Sequence, residues 1–70
     1  MSTFIATFGM GWTLRNNFVE VEAEDEGQAR KIMFNVYGQG WAFLYKSHEA
    51  AGVNQFNLNK VPFGTPNTRL

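Results

Sequence analysis

Between Phe18 and Val36 the hydrophobic period of this chain changes once, and that change restricts the folds open to it. Phe18-Val19-Glu20-Val21-Glu22-Ala23 alternates, with Val19, Val21 and Ala23 pointing one way and Phe18, Glu20 and Glu22 the other. A period of two with one apolar face is the pattern of a half-buried antiparallel strand. A few residues on, Ala29, Ile32, Met33 and Val36 recur at i, i+3, i+4 and i+7, the stripe of an amphipathic helix. Asp25 is placed as the N-cap, Gln28 completes a capping box, and Glu26 meets the positive end of the helix dipole. Gly38, after Tyr37, ends the helix. Burying Ile32, Met33 and Val36 contributes about 5–9 kcal/mol gross, while ordering each helical residue costs about 1–2 kcal/mol. The helix therefore needs a sheet to pack on, and the sheet needs the helix.

Further strands supply that sheet. Residues 3–8 are β-branched and aromatic, with Phe4, Ala6 and Phe8 on one face and Thr3, Ile5 and Thr7 on the other. Gly9-Met10-Gly11 and Asn16-Asn17 are turn signals, so the first two strands read as a hairpin with Trp12, Thr13 and Leu14 in its arms or loop. Gly38-Gln39-Gly40 leads into residues 41–46, where Trp41, Phe43 and Tyr45 share one face and Ala42, Leu44 and Lys46 the other. Both faces are largely apolar, which predicts a central strand. Ser47 is placed to cap a short helix through Ala50 and Ala51, stopped near Gly52; beyond it Phe56, Leu58, Val61 and Phe63 form an edge strand or an extended packing segment. The predicted fold is α+β: an antiparallel sheet of three or four strands with one amphipathic helix on one face. Its order is β-β-α-β plus a short C-terminal helix or strand. Residues 1–61 form one domain, and Pro62, Gly64, Pro66 and Asn67 mark 62–70 as a flexible tail.

Length and composition narrow the function. A chain of 70 residues buries only about 60% of its unfolded surface, so one core is marginal without reinforcement. Cysteine is absent, which removes disulfides and thiolate metal sites and agrees with a cytoplasmic location. No apolar run approaches the roughly 20 residues of a membrane helix, and Met1-Ser2-Thr3 does not begin like a signal peptide. The expectation is a soluble cytoplasmic protein without membrane contact. Six basic residues balance six acidic ones, which argues against affinity for extended nucleic acid.

The motifs that could carry chemistry have simpler explanations. All the acids except Glu49 lie between Glu20 and Glu26, as a hard-cation site or a patch for a basic partner would require. Strand alternation accounts for Glu20 and Glu22, however, and helix capping for Asp25 and Glu26. Gly9-Met10-Gly11 lacks the third glycine and the following helix of a phosphate-binding loop, and reads as a turn. His48 is the one histidine, and the serines are Ser2 at the terminus and Ser47 at a helix cap. No nucleophile–base–orienter set can be assembled from them, so neither enzyme activity, metal nor cofactor is expected.

Aromatic content points elsewhere. Seven Phe, two Trp and two Tyr are many for this length, and aromatics contribute heavily to interfaces as well as cores. One helix covers one sheet face. The other must be covered by the C-terminal segment (Val53, Phe56, Leu58), by a second subunit, or by a ligand. Trp12, Arg15, Phe18, Trp41, Phe43, Tyr45 and Lys46 are the candidate interface residues. Within that set Trp12, Arg15, Trp41 and Lys46 would also suit stacking on a nucleotide or single-stranded nucleic acid.

The order Phe4-Ile5-Ala6-Thr7-Phe8-Gly9, Val19 to Glu26, Ala29-Arg30-Lys31-Ile32-Met33-Phe34, Tyr37-Gly38 and Trp41 to Tyr45 resembles small accessory proteins encoded by tailed bacteriophages. The resemblance covers residues 3–46 and includes no site motif, so no functional residue is carried over from it. It implies a non-enzymatic phage accessory protein in the host cytoplasm that blocks or sequesters a host component, as inhibitors of bacterial immune systems do. A homodimer or higher homo-oligomer is the expected state, with a host protein or a small nucleotide as partner. A nucleotide or single-stranded nucleic-acid binding module and a structural, virion-associated protein are the alternatives.

Overall fold

The computed structural model describes residues 1–70, with elements β1 (Ser2–Phe8), β2 (Asn17–Ala23), α1 (Glu26–Tyr37), β3 (Trp41–Tyr45), α2 (His48–Ala51) and β4 (Asn59–Lys60). The sheet order is β3-β1-β2-β4. β1 and β2 form the expected antiparallel hairpin, with Phe4 opposite Val21 and Thr7 opposite Phe18. β3 pairs antiparallel with the other side of β1, and β4 runs parallel to β2. The fold is thus α+β as predicted, but the sheet is mixed rather than wholly antiparallel.

The interior strands are β1 and β2, and β3 is not among them. Phe4, Ile5, Ala6 and Phe8 of β1 are all buried, so it is apolar on both faces because both are covered. β3 reads the same way in sequence yet lies at an edge, where Phe43 remains 63% exposed. A bulge also breaks its alternation. Phe8 pairs with Trp41 while Thr7 pairs with Phe43, leaving Ala42 as the extra residue. Trp41 therefore turns to the helix side with Leu44, away from Phe43 and Tyr45 with which simple alternation grouped it.

Local capping sets where α1 begins. Asp25 accepts a hydrogen bond from the Gln28 N–H at 2.8 Å, and the Gln28 side chain accepts from the Glu24 N–H at 2.7 Å. The reciprocal bond reaches one residue further back than a standard capping box. Gly38, at φ 60°, donates to Phe34 O and closes the last turn. Ala29 and Met33 are fully buried against Phe4, Ala6, Val19 and Val21, with Ile32 and Tyr37 packed beside them. Val36, expected in the stripe, is 47% exposed. The buried arc centres on the Ala29–Met33–Tyr37 row, and at the last turn Tyr37 makes the core contact, edge-on to Phe8 at 5.0 Å.

The second sheet face is covered for a topological reason. β3 and β4 lie at opposite edges, so the chain must return across β1 and β2 between them. That return is α2 and the residues after it. Ile5, Phe18 and Ala51 form a second small core there, joined by Tyr45, Val53 and Leu58. The C-terminal segment thus folds back over this face, one of the three coverings weighed above. Ser47 caps α2 by accepting from the Ala50 N–H at 3.0 Å. Glu20 fastens the return, with His48 Nε2 at 2.8 Å and Lys60 Nζ at 3.2 Å from its carboxylate oxygens.

Residues 62–70 do not run free as a tail. Thr13 N–H donates to Thr68 O at 2.9 Å, Leu70 N–H donates to Gly11 O at 2.8 Å, and Trp12 forms a bridge with Arg69. Asn67 accepts from the Leu14 N–H and donates to Gly40 O. The β1–β2 connection offers backbone groups that the hairpin itself does not pair, and the C-terminal residues satisfy them. No helix is long and apolar enough to cross a membrane.

Candidate binding surface

The seven residues singled out from sequence fall into separate places. Phe18 is buried beneath α2, its ring edge-on to His48 at 5.7 Å, and is a core residue. Trp41 is half-buried on the helix side, edge-on to Phe34 at 5.2 Å with the Arg30 guanidinium over its ring at 5.9 Å. Trp12 lies between the backbones of Gly9 and Gly40, with Arg69 over its ring. Lys46 lines a cleft with Ser2, Thr3, Phe4, Asp25 and Glu26. Arg15 and Lys46 therefore line different recesses, while Trp12 packs on Gly40, the residue before Trp41.

Arg15, Phe43 and Tyr45 do share a surface. Phe43 and Tyr45 stand two residues apart on the face opposite α1, their ring centres 6.2 Å apart. Beyond Tyr45 a groove of about 340 Å³ is lined by Thr7, Met10, Arg15, Asn16, Tyr45, Ala51, Phe56 and Leu58. Met10 is 78% exposed and Phe56 64% exposed, so the groove is bordered by large apolar groups left in water. From sequence Met10 reads as part of a turn, and Phe56 as one residue of the C-terminal segment weighed as a covering of the second face. A usable signal was present: Met10 is isolated between two glycines, and Phe56 stands alone in Asn54-Gln55-Phe56-Asn57.

Phe56 is held in position from below. Gly52 ends α2 at φ 74°, and a Cβ there would come within 2.6 Å of the Phe56 ring. The ring thus lies directly on the Gly52 backbone. Hydrogen bonds from Phe56 N–H to Gly52 O and from Leu58 N–H to Val53 O fix the turn, and Asn57 completes it at φ 52°.

The two sheet edges contrast. β4 is two residues long, and its Lys60 is paired with Glu20. β3 is five uncharged residues, Trp-Ala-Phe-Leu-Tyr, with no strand on its outer side. Short charged edges resist further pairing, whereas apolar edges invite it.

The groups nearest to chemistry are occupied structurally. The Ser47 hydroxyl caps α2 and His48 is bonded to Glu20. The bonds from His48 and Lys60 hold the Glu20 carboxyl below its ordinary value of 4.5. Burial raises the Tyr37 phenol above its ordinary 10.0, while the Gly64 N–H donated to its oxygen acts in the opposite direction. No protein-family model, curated protein sequence or solved structure matches this chain.

Proposed function

We propose that this chain is a non-enzymatic accessory binding protein of the tailed-phage kind, which docks on a bacterial host component and blocks or sequesters it. The observation that carries the reading is the apolar surface running from the open edge of β3 through Phe43 and Tyr45 to Met10 and Phe56. Its large side chains remain in water after the fold has covered the rest of both sheet faces, and exposed apolar patches of this kind mark interaction sites. An edge strand without charge also offers main-chain hydrogen bonding to an added strand. The same edge is where a second copy would pair to give a homo-oligomer. The nucleotide alternative has less support, since its two cations, Arg15 and Lys46, line different recesses.

Affinity capture from a bacterial host lysate with the full chain, compared with Phe43→Lys, tests the reading. The expected result is a specific host protein retained by the original chain and lost with the variant. Equal capture by both would sink the proposed surface.

A further inference from the structure

We infer that the groove between β1 and the α2–β4 connection receives an acidic-apolar peptide segment of a protein partner, an apolar side chain seating against Tyr45 and Phe56 and a neighbouring carboxylate meeting Arg15. This deepens the binding reading above and rests on it.

Charge selects the occupant. Arg15 is the one charged residue lining the groove, and it is exposed and forms no ion pair. The chain's other cations are differently placed. Lys60 is bound to Glu20, Arg30 and Arg69 lie over tryptophan rings, Lys46 lines the cleft with Asp25 and Glu26, and Lys31 is on α1 across the sheet. A nucleic-acid strand presents a run of phosphates and needs several cations along its path. A single unpaired guanidinium amid apolar walls matches one carboxylate next to an apolar side chain.

Shape selects a segment of a larger partner over a small molecule. Small-molecule sites enclose most of their ligand, whereas this groove lies open between Met10 and Phe56. Phe56 supplies the independent observation. Its ring is fixed on Gly52 by a turn with two backbone hydrogen bonds, yet its outer side faces water. An aromatic held in this way loses little conformational freedom when a partner covers it.

The test is selection from a randomised peptide library against the full-length chain and against Arg15→Glu, followed by amide chemical-shift mapping with the winning peptides. The original chain is expected to enrich Asp or Glu beside an aromatic or aliphatic residue, with shifts at Thr7, Arg15, Tyr45 and Phe56. Arg15→Glu should weaken those peptides about tenfold and enrich Lys or Arg in their place, with an unchanged melting curve. Peptides lacking an acid, indifference to Arg15→Glu, shifts centred on Phe34 and Trp41, or no enrichment would each overturn the inference. Loss of host-protein capture with Phe43→Lys, found alongside any of those outcomes, would leave the broader binding reading standing and overturn the groove assignment alone.

Discussion

Gly52 sits where two constraints meet. Its φ of 74° is disfavoured for any residue with a Cβ, and that Cβ would enter the Phe56 ring. Gly52→Ala should therefore destabilise the chain by about 1–3 kcal/mol. Gly11→Ala, with open space around it, should change stability by no more than about 0.5 kcal/mol. Urea unfolding of the two variants checks the contrast. Glu20 makes a different statement at the same scale. Its carboxyl is held below 4.5 by His48 and Lys60, so folding favours the ionised form. That contribution is complete above pH 4.5 and is lost as pH falls through the lower folded value. Glu20→Gln should flatten the acid limb of a stability–pH profile; an unchanged limb would show that the pairing carries no stability.

Among the elements, α1 is specified most locally. Asp25, Gln28 and Gly38 set its ends through hydrogen bonds within a few residues, and these positions were legible in the sequence. The arc that it buries was legible only in part. Met33→Ala should cost about 2–5 kcal/mol, as deletion of a fully buried side chain does. Val36→Ala should cost within about 0.5 kcal/mol, because Tyr37 occupies the core side of the last turn. Thermal melts of both variants separate this arrangement from the stripe that spacing alone suggests. β3 shows the same limit. Its bulge at Ala42 depends on register against β1, which no pattern within the strand encodes.

For the whole molecule, connectivity decides what is covered. α1 crosses one face of the sheet and the α2 return crosses the other, so two cores form on opposite sides of β1. The C-terminal residues pair with the loop end of the hairpin at Gly11 to Leu14. Exposed apolar area then remains along β3 and the groove beside it. If a second copy pairs there, light scattering should show a homo-oligomer that Phe43→Lys converts to monomer, since a charged edge resists pairing. The variant's melting curve should stay close to that of the original chain at limiting dilution. A strict monomer at high concentration would remove the self-association claim.

The sequence by itself determined the α+β class, the β1–β2 hairpin and the capped helix. Each rests on periodicity and hydrogen bonding between near neighbours, which the order of residues encodes directly. Only the tertiary structure decided that β1 is interior, that β4 runs parallel to β2, and that Phe18 is core while Phe43 stays in water. It also joined Arg15, Tyr45 and Phe56, far apart in the chain, around one groove. An apolar strand carries the same pattern at a sheet's centre and at its edge. Which place it takes depends on where the chain has to return.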